Sequence, residues 1–266
     1  MKRIFITGAS SGIGLATATL LSGRGHEVWG TSRDLARIPP LPRLHGARLD
    51  LRDPVSLGEG FATALREAGQ FDVVINNAGS GHFGPGELLS MEELYSQLQI
   101  LLFAHIQLCQ LALRAMREHG GRIINVTSLA ARLPIPFMGA YNAAKAAMAS
   151  FTTTLQLELS GSNIRVIDLQ PGDIRTDFND AIARNESVDS RYLAKLQQAW
   201  QVADRNMKNG PSPELVAQRI LKLIDEPNPP PRVTVGDVFQ ARIAPLVFRF
   251  LPQRLGLWTL RKYYRI

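Results

Sequence analysis

Tyr141 and Lys145 stand four residues apart near the start of a predicted helix. That spacing places the two side chains on one face of the helix. An ammonium group held near a phenol favours the phenolate, so the pair predicts a pKa for Tyr141 below its usual value of about 10. Such a tyrosine exchanges a proton with a substrate oxygen near neutral pH. Surface helices also carry this pair by chance, and the pair gains meaning only from the motifs around it.

Ser128 precedes Tyr141 by 13 residues and directly follows a predicted strand, Arg122–Thr127. A side chain in this position lies at the carboxyl end of a parallel sheet, where ligands bind. A serine hydroxyl there can orient and polarise the same substrate oxygen that Tyr141 meets. Ser128, Tyr141 and Lys145 are therefore the predicted catalytic residues.

A glycine-rich loop at residues 7–14, with the sequence TGASSGIG, follows the first predicted strand and opens the first predicted helix. Gly8 permits a tight turn, Gly12 lets the backbone approach a pyrophosphate, and Gly14 lets the helix pack close to the strand. Free N–H groups at the helix N-terminus then bind the phosphates. The loop favours nucleotide binding over the alternative, a tight turn with a purely structural role. Its candidate cofactor-binding residues are Gly8, Ser10, Ser11, Gly12, Ile13 and Gly14.

The end of the second predicted strand, Glu27–Thr31, indicates which nucleotide is bound. NAD-binding sites usually place an acid there, which accepts hydrogen bonds from the ribose hydroxyls. Here that position is Ser32, and the next residue is Arg33, whose guanidinium can pair with a 2′-phosphate. The pattern favours NADP(H). The alternative is a solvated Arg33, with Asp34 as a displaced ribose acid.

Short apolar runs alternate with segments of helical period along the chain. This alternation predicts an α/β fold of the Rossmann type, a doubly wound parallel sheet of about seven strands with helices on both faces. The predicted strands are Arg3–Thr7, Glu27–Thr31, Ala47–Asp50, Phe71–Asn76, Arg122–Thr127, Asn163–Leu169 and Arg232–Val235. The predicted helices are Ile13–Ser22, Pro54–Ala68, Met91–Arg117, Ala140–Leu159 and Pro213–Ile224.

Composition and charge narrow the class of protein. Of the 266 residues, 45% are hydrophobic and 20% are charged, as in globular proteins with a full core. Most of the net charge of +7 comes from the acid-free segment after Asp237, so no nucleic-acid partner is predicted. We expect no membrane-spanning helix, which needs roughly 18 uncharged apolar residues. The single cysteine, Cys109, agrees with a cytoplasmic location, and the scattered histidines predict no metal site.

Two segments interrupt the strand–helix alternation. Residues 173–213 contain no clear strand and predict a lid-like insertion within one domain of residues 1–240, with an irregular surface excursion as the alternative. Residues 241–266 form a basic, apolar tail in which Pro245 and Pro252 limit any helix to short pieces. The tail either contacts a membrane surface or folds back over a substrate cleft. In both cases its apolar content favours a bulky, lipophilic substrate.

Taken together, the motifs resemble the short-chain dehydrogenase/reductase family in type, order and spacing. The resemblance covers residues 3 to about 178 well and the segment Val233–Gly236 loosely. The corner at residues 31–34 resembles the NADP-preferring members, including the 17β-hydroxysteroid dehydrogenase-like branch. The motifs that carry the resemblance are the glycine loop, Asn76-Asn77-Ala78-Gly79 after the fourth strand, Ser128, Tyr141-x-x-x-Lys145 and Pro171-Gly172-x-x-x-Thr176.

The resemblance implies a role for each of these residues. Ser128 would bind the substrate oxygen, Tyr141 would be the general acid/base, and Lys145 would hold the nicotinamide ribose and lower the pKa of the tyrosine. It also implies a homodimer or homotetramer built on the helices that begin at Met91 and Ala140, whose apolar faces are otherwise ordinary core. The further cofactor contacts that it implies are Asn77, Ala78 and Gly79 near the adenine-side ribose, Asp50 and Leu51 at the adenine, and Pro171, Gly172, Ile174 and Thr176 at the nicotinamide end.

One position departs from the family pattern. Family members usually carry an asparagine in the helix after the fourth strand, which helps hold a water that links the catalytic lysine to solvent. In this chain Leu101 stands at that position, and leucine forms no hydrogen bond. Gln97 or Gln99 would substitute only through a shifted geometry, because each helical position turns a side chain by about 100°. The departure predicts a slower enzyme.

These observations predict an NADP(H)-dependent oxidoreductase that interconverts a carbonyl and an alcohol on a lipophilic substrate of the steroid, retinoid or acyl-chain type. The alternative, motivated by Leu101, is a cofactor-binding protein of the same fold with little or no turnover, a sensor or scaffold. A peripheral membrane module, motivated by the tail, is the third hypothesis.

Overall fold

The computed structural model describes residues 1–184 and 190–266, and parallel strands form its centre. The strands are β1 (Arg3–Ile6), β2 (Glu27–Ser32), β3 (Leu44–Arg48), β4 (Val73–Asn76), β5 (His82–Phe83), β6 (Gly121–Val126), β7 (Ile164–Pro171), β8 (Ala183–Arg184) and β9 (Arg232–Val235). Seven of them form one sheet in the order β3-β2-β1-β4-β6-β7-β9, and β5 pairs with β8 separately. The strand order reverses between β1 and β4, the point at which doubly wound sheets bind ligands. The predicted fold class is confirmed.

Helices cover both faces of the main sheet. They are α1 (Gly12–Gly23), α2 (Pro54–Ala68), α3 (Met91–Leu98), α4 (Ala104–Met116), α5 (Gly139–Glu158), α6 (Ser190–Asn209), α7 (Pro213–Asp225), α8 (Ala244–Phe250) and α9 (Gln253–Tyr264). Successive strand residues point to opposite faces. Accordingly, Phe5 packs in a cluster with α2, α4 and α5, whereas Ile4 and Ile6 pack in a second cluster with α1 and α7.

The third strand differs from its predicted position, Ala47–Asp50. It runs from Leu44 to Arg48 at the edge of the sheet, where Leu44 is buried but His45 and Gly46 are exposed. Continuous apolar runs are typical of strands that are covered on both faces. The edge strand β3 lacks that pattern. The start of the predicted strand was therefore placed three residues too late, on the more apolar residues that follow. Asp50 lies in the turn after the strand.

The predicted helix Met91–Arg117 is interrupted in the structure. Helix α3 passes into a π-helical segment, Gln99–Phe103, and continues as α4. By length and composition alone the 26-residue run Met91–Met116 would suffice to cross a membrane, contrary to the sequence-based expectation that no segment would. Core helices pass the same test, and Leu101, Leu108 and Met116 are fully buried in the core here. We therefore assign this run to the core.

The two segments that interrupt the alternation both contain helices. The described part of the predicted lid, residues 173–213, contains β8 and α6, whereas residues 185–189 lie outside the described part of the chain. The tail forms α8 and α9, which Pro252 separates, so the predicted restriction to short helices is confirmed. Helix α9 packs against α6, and Ile266 contacts the core. The tail thus adopts the fold-back arrangement.

Candidate active site

A cavity of about 850 Å³ lies at the carboxyl ends of the central strands. Every residue that the sequence analysis nominated for catalysis or cofactor binding is in its wall. These residues are Gly8, Ser10, Ser11, Gly12, Ile13, Gly14, Arg33, Asp50, Leu51, Asn77, Ala78, Gly79, Ser128, Tyr141, Lys145, Pro171, Gly172, Ile174 and Thr176. The structure brings them together, and their individual roles stay predictions.

The glycine loop after β1 has the shape of an anion site. Gly8 and Gly12 have φ angles of 71° and 53°, in the left-handed region that favours glycine. A Cβ on Gly14 would lie 2.0 Å from the carbonyl oxygen of Gly8, so the helix can approach the loop only without one. Helix α1 begins with no side-chain cap and no acid in its first turn. Its first N–H groups are therefore available to a pyrophosphate.

Thr7 and Asn77 join the ends of β1 and β4. The Thr7 hydroxyl accepts hydrogen bonds from the backbone N–H groups of Asn77 and Ala78, at 2.9 and 3.0 Å. The Asn77 side-chain amide donates to the Thr7 carbonyl at 2.9 Å. These bonds hold the glycine loop against residues 77–79 where the strand order reverses. Asn77 thus stabilises the junction of β1 and β4 in addition to lining the cavity.

The adenine end of the cavity carries more positive charge than the sequence analysis anticipated. Arg37 and Arg52 lie in the same wall as Arg33. Asp34 accepts from the backbone N–H of Ala36 at 3.0 Å, and Asp50 accepts from that of Arg52 at the same distance. Both carboxylates are therefore engaged in turns. This donor set fits a dinucleotide with an additional phosphate.

Ser128, Tyr141 and Lys145 meet at the ends of β6 and α5. Ser128 follows β6 and accepts from the backbone N–H of Ala130 at 3.1 Å. Its hydroxyl lies close enough to the Tyr141 phenol to lower the pKa of that group. Lys145 is buried, and its Nζ donates to the Val126 carbonyl at 2.9 Å. The same Nζ lies 5.8 Å from the centre of the Tyr141 ring. The predicted catalytic residues thus form one contiguous group.

Burial controls the protonation of this group. It raises the pKa of Tyr141, an effect that the Ser128 hydrogen bond opposes and the charge of Asp173 adds to. Burial also lowers the pKa of Lys145 to about 8, against the attraction of Asp168. The sequence-based prediction of a lowered pKa for Tyr141 is wrong for this structure. The Lys145 amine donates to the Val126 carbonyl, and desolvation of the phenol outweighs the nearby charge.

A buried carboxylate supports the site from β7. Asp168 accepts from the Thr127 hydroxyl, from Gln170 Nε2 at 2.8 Å and from Arg232 Nε at 2.7 Å. Asp168 is not among the residues that the sequence motifs predicted. The sequence does contain one signal for it, an acid inside an otherwise apolar strand, since a buried carboxylate is almost always paired. Its partner Arg232 lies on β9 and is identified only by the sheet order.

Leu101 is fully buried in the π-helical segment, at the position where the family pattern has asparagine. Its δ-carbon lies 3.1 Å from the place that a Cβ on Gly79 would take. Neither nearby glutamine is hydrogen-bonded to Lys145: Gln97 donates to the Ser80 hydroxyl at 3.3 Å, and Gln99 donates to the Leu51 carbonyl at 3.1 Å.

His105 lies one helical turn after Leu101 and is fully buried. It is close enough to Lys145 for the charge of the lysine to change its pKa. Desolvation above all, and then this charge, lower its pKa to about 3. The histidine is therefore neutral at physiological pH. No sequence motif marks His105, which is one of several scattered histidines.

The apolar half of the cavity is formed by the described part of residues 173–213 and by the tail. The ring of Phe178 lies 5.9 Å from that of Tyr141, centre to centre. Gln240, the residue directly before the tail, is bound to the loop after β7, because it accepts from the Asp173 backbone N–H at 2.8 Å and donates to the Asp173 carboxylate. Sequence reasoning missed these residues, which no motif marks. The large side chains in this wall are Phe178, Trp200, Met207, Phe239, Phe248, Leu260, Tyr263 and Tyr264.

Comparison with known proteins identifies relatives along the full chain. A family profile described as short chain dehydrogenase matches residues 2–187. A protein of Bacteroides thetaiotaomicron named 3-ketodihydrosphingosine reductase is 33% identical over 270 residues, which cover 99% of this chain and 98% of that protein.

Solved structures share the fold. A short-chain dehydrogenase from Streptomyces avermitilis has a TM-score of 0.83 and 27% identity, covering 99% of this chain and 97% of its own. An alcohol dehydrogenase from the archaeon Thermococcus sibiricus, complexed with 5-hydroxy-NADP, has a TM-score of 0.74 and 25% identity over 90% and 97% of the two chains. With the glycine loop, Ser128, Tyr141 and Lys145 all inside the matched residues and assembled at one cavity, this chain belongs to the short-chain dehydrogenase family of oxidoreductases.

Proposed function

We propose that the protein is an NADP(H)-dependent oxidoreductase that interconverts a carbonyl and an alcohol on a lipophilic substrate, with Tyr141 as general acid/base. The observation that carries this proposal is the grouping of Ser128, Tyr141 and Lys145 at the junction between a polar half and an apolar half of one cavity. The polar half suits a dinucleotide, and the apolar half suits a lipid.

The arginine cluster supports NADP(H) over NAD(H). Arg33, Arg37 and Arg52 line the adenine end, where a 2′-phosphate would lie, and Asp34 is occupied in capping a turn. The relative from Thermococcus sibiricus was solved with an NADP derivative. When bound, the nicotinamide supplies a hydride, which carries two electrons to the carbonyl carbon. The chain's own residues bind the phosphates at the start of α1, and Lys145 would hold the nicotinamide ribose.

The protonation of Tyr141 supports reduction as the favoured direction. Burial raises the pKa of this phenol, so at neutral pH it carries the proton that reduction requires. Tyr141 would donate this proton to the carbonyl oxygen as the new C–H bond forms, giving the alcohol. Ser128 would hold that oxygen by a hydrogen bond. Lys145, with a pKa of about 8, is mostly charged at pH 7 and stabilises the tyrosinate that remains.

The apolar wall and the full-length relative support a lipid ketone. Phe178, Trp200 and Phe248 surround the space beyond Tyr141, and they offer few hydrogen bonds to a sugar or an amino acid. The relative from Bacteroides thetaiotaomicron is named for 3-ketodihydrosphingosine, a long-chain ketone. We place long-chain ketones ahead of steroids and retinoids for this reason.

The experiment is NADPH oxidation with a panel of lipophilic ketones, run beside NADH. We expect turnover with NADPH, and Tyr141→Phe should lower kcat by about 10²–10⁴-fold, the usual contribution of a general acid, without changing NADPH binding. Tyr95→Phe, at an exposed tyrosine of α3, is the matched control and should leave kcat unchanged.

The second candidate is a cofactor-binding protein with little turnover, which the buried Leu101 favours. Tight NADPH binding without reduction of any ketone, in the wild type and in Leu101→Asn alike, would establish it and overturn the enzymatic proposal. Turnover that rises in Leu101→Asn would instead support a slow enzyme whose proton delivery the leucine limits.

A further inference from the structure

The outer side of residues 238–266 is the most apolar exposed surface of the described chain, and we call it the C-terminal face. More than half of the large apolar side chains that are exposed in residues 1–184 and 190–266 belong to this segment, and two of these, Phe239 and Tyr263, also line the cavity. Phe250 and Trp258 are 75% and 58% exposed. The exposed apolar side chains of the segment that do not line the cavity are Val238, Ile243, Leu246, Val247, Phe250, Leu255, Leu257 and Trp258. Contiguous apolar surface of this kind marks an interaction site.

The charge of the C-terminal face has one sign only. The chain contains no Asp or Glu after Asp237, and its six cationic side chains there are all exposed. They are Arg242, Arg249, Arg254, Arg261, Lys262 and Arg265. At about 100° per residue, the outward arc of α9 carries Trp258 between Arg261 and Lys262. Aromatic side chains flanked by cations are typical of helices that lie in a membrane interface.

The inner side of the same two helices walls the substrate half of the cavity. Phe248 of α8 and Leu260 and Tyr264 of α9 line it. One helix thickness, about 10 Å, therefore separates the exposed apolar side chains from the cavity. A lipophilic substrate held in a membrane would lie beside this wall.

We propose that the C-terminal face binds the surface of an anionic membrane, with Phe250 and Trp258 among the headgroups and the arginines against lipid phosphates. The positive charge of the C-terminal face favours an anionic membrane over a second copy of the chain as the binding partner. In a two-fold symmetric dimer the same patch faces itself, and the six cations of one copy would oppose six of the other. An anionic lipid surface neutralises them. Vesicle binding needs neither cofactor nor turnover, so its test is independent of the proposed reaction.

The test is co-sedimentation of the full-length protein with vesicles of phosphatidylcholine, with and without phosphatidylglycerol. We expect at least tenfold tighter binding to the anionic vesicles. Binding should weaken as salt rises from about 0.1 M to about 1 M, because the Debye length falls from about 10 Å to about 3 Å. Phe250→Ser with Trp258→Ser should lower the partition at least tenfold. Val55→Ser with Met91→Ser, at side chains 66% and 57% exposed elsewhere, is the matched control.

Charge reversal provides a second, independent comparison of a test variant with a control variant. Arg254→Glu with Arg261→Glu should abolish the preference for anionic vesicles, whereas Arg24→Glu with Arg117→Glu, at exposed arginines directly after α1 and α4, should retain it. Thermal melting and NADPH binding verify that each variant is folded. Equal loss in the test and control pairs, or no binding by the wild type, overturns the proposal. Self-association that Phe250→Ser with Trp258→Ser abolishes, without vesicle binding, would assign the face to a second copy instead.

Discussion

The amine of Lys145 is held in a buried position, where it donates to the Val126 carbonyl and Asp168 contributes an opposing negative charge. Desolvation penalises its charged form, which is why its pKa falls to about 8. The same burial raises the pKa of Tyr141. A protonated phenol beside a mostly charged amine is the arrangement that the proposed reduction needs at neutral pH.

This burial predicts a measurable effect of pH on stability. The folded protein releases the Lys145 proton near pH 8, whereas the unfolded chain keeps it until about pH 10.4. Below pH 8 Lys145 is protonated in both states, and the free-energy cost of burying its charge lowers the stability of the folded protein by its full amount. As the pH rises above 8, Lys145 loses its proton in the folded state, this cost disappears, and the free energy of unfolding increases. We expect Lys145→Met to exceed the wild type at pH 7 by up to about 3 kcal/mol.

Urea unfolding at pH 7 and at pH 10 measures this difference, which should shrink at the higher pH. Lys195→Met, at an exposed lysine of α6, is the control and should show no such trend. A stability difference for Lys145→Met that is the same at both pH values would contradict the lowered pKa.

Arg33 lies where the 2′-phosphate would bind, so its removal should separate the two cofactors. Charged hydrogen bonds contribute about 1.5–3 kcal/mol. Arg33→Ser should therefore weaken NADPH binding by about ten- to a hundredfold and leave NADH binding unchanged. Fluorescence titration with both nucleotides measures this, with Arg117→Ser as the control. Equal weakening of both nucleotides would argue for a structural role of Arg33.

At the scale of elements, the ends of strands position the site. The glycine loop follows β1, Asn77 follows β4, Ser128 follows β6, and Pro171 ends β7. Parallel strands joined by helical crossovers bring all these ends to one edge of the sheet. Residues far apart in sequence therefore share one cavity, and the packing of α1 against the first loop sets how closely the phosphates can approach.

Gly14 and Gly23 in α1 test this packing within one helix. A Cβ on Gly14 would lie 2.0 Å from the Gly8 carbonyl oxygen and 2.6 Å from Asn77 Nδ2, whereas a Cβ on Gly23 meets nothing within 4 Å. Gly14→Ala should displace the loop, lower the melting temperature and weaken NADPH binding at least tenfold. Gly23→Ala should be neutral or stabilising by up to about 1 kcal/mol. Calorimetry and nucleotide titration measure both, and similar effects of the two substitutions would contradict the close approach.

At the scale of the whole molecule, exposed apolar side chains and charge are unevenly distributed. The C-terminal face holds one group of apolar side chains, and a second group lies on the long helices, including Phe103 at 49% and Leu157 at 73% exposure. The second group carries no comparable excess of cations. It is suited to a second copy of the chain, as the sequence analysis expected of these helices. The cytoplasmic location stays a prediction.

We expect the protein to be a homodimer or homotetramer through α4 and α5. Light scattering should give a multiple of the chain mass of 29.3 kDa. Phe103→Glu with Leu157→Glu should shift the mass to that of a single chain, because buried like charges oppose each other across a symmetric interface. Val55→Glu, at an exposed side chain of α2, should leave the mass unchanged. A wild type that stays monomeric at all concentrations would contradict this expectation.

The fold class and the place of each motif were predictable from the sequence. Glycine loops, strand–helix periods and the Tyr141–Lys145 spacing are local, because they depend on backbone conformations a few residues long. Every nominated residue consequently lies in one cavity. The edge strand β3 was misplaced because the apolar rule used to find it holds only for covered strands.

Features that depend on contacts between distant residues were visible only in the folded chain. Arg232 joins Asp168 across 64 residues, and Gln240 joins Asp173 across 67. The pKa of Tyr141 rises because other elements exclude water from it, an effect that no local spacing reveals. The tail covers the cavity because one side of α8 and α9 finds apolar partners there. Burial and long-range pairing are properties of the assembled chain, and local sequence patterns carry no direct record of them.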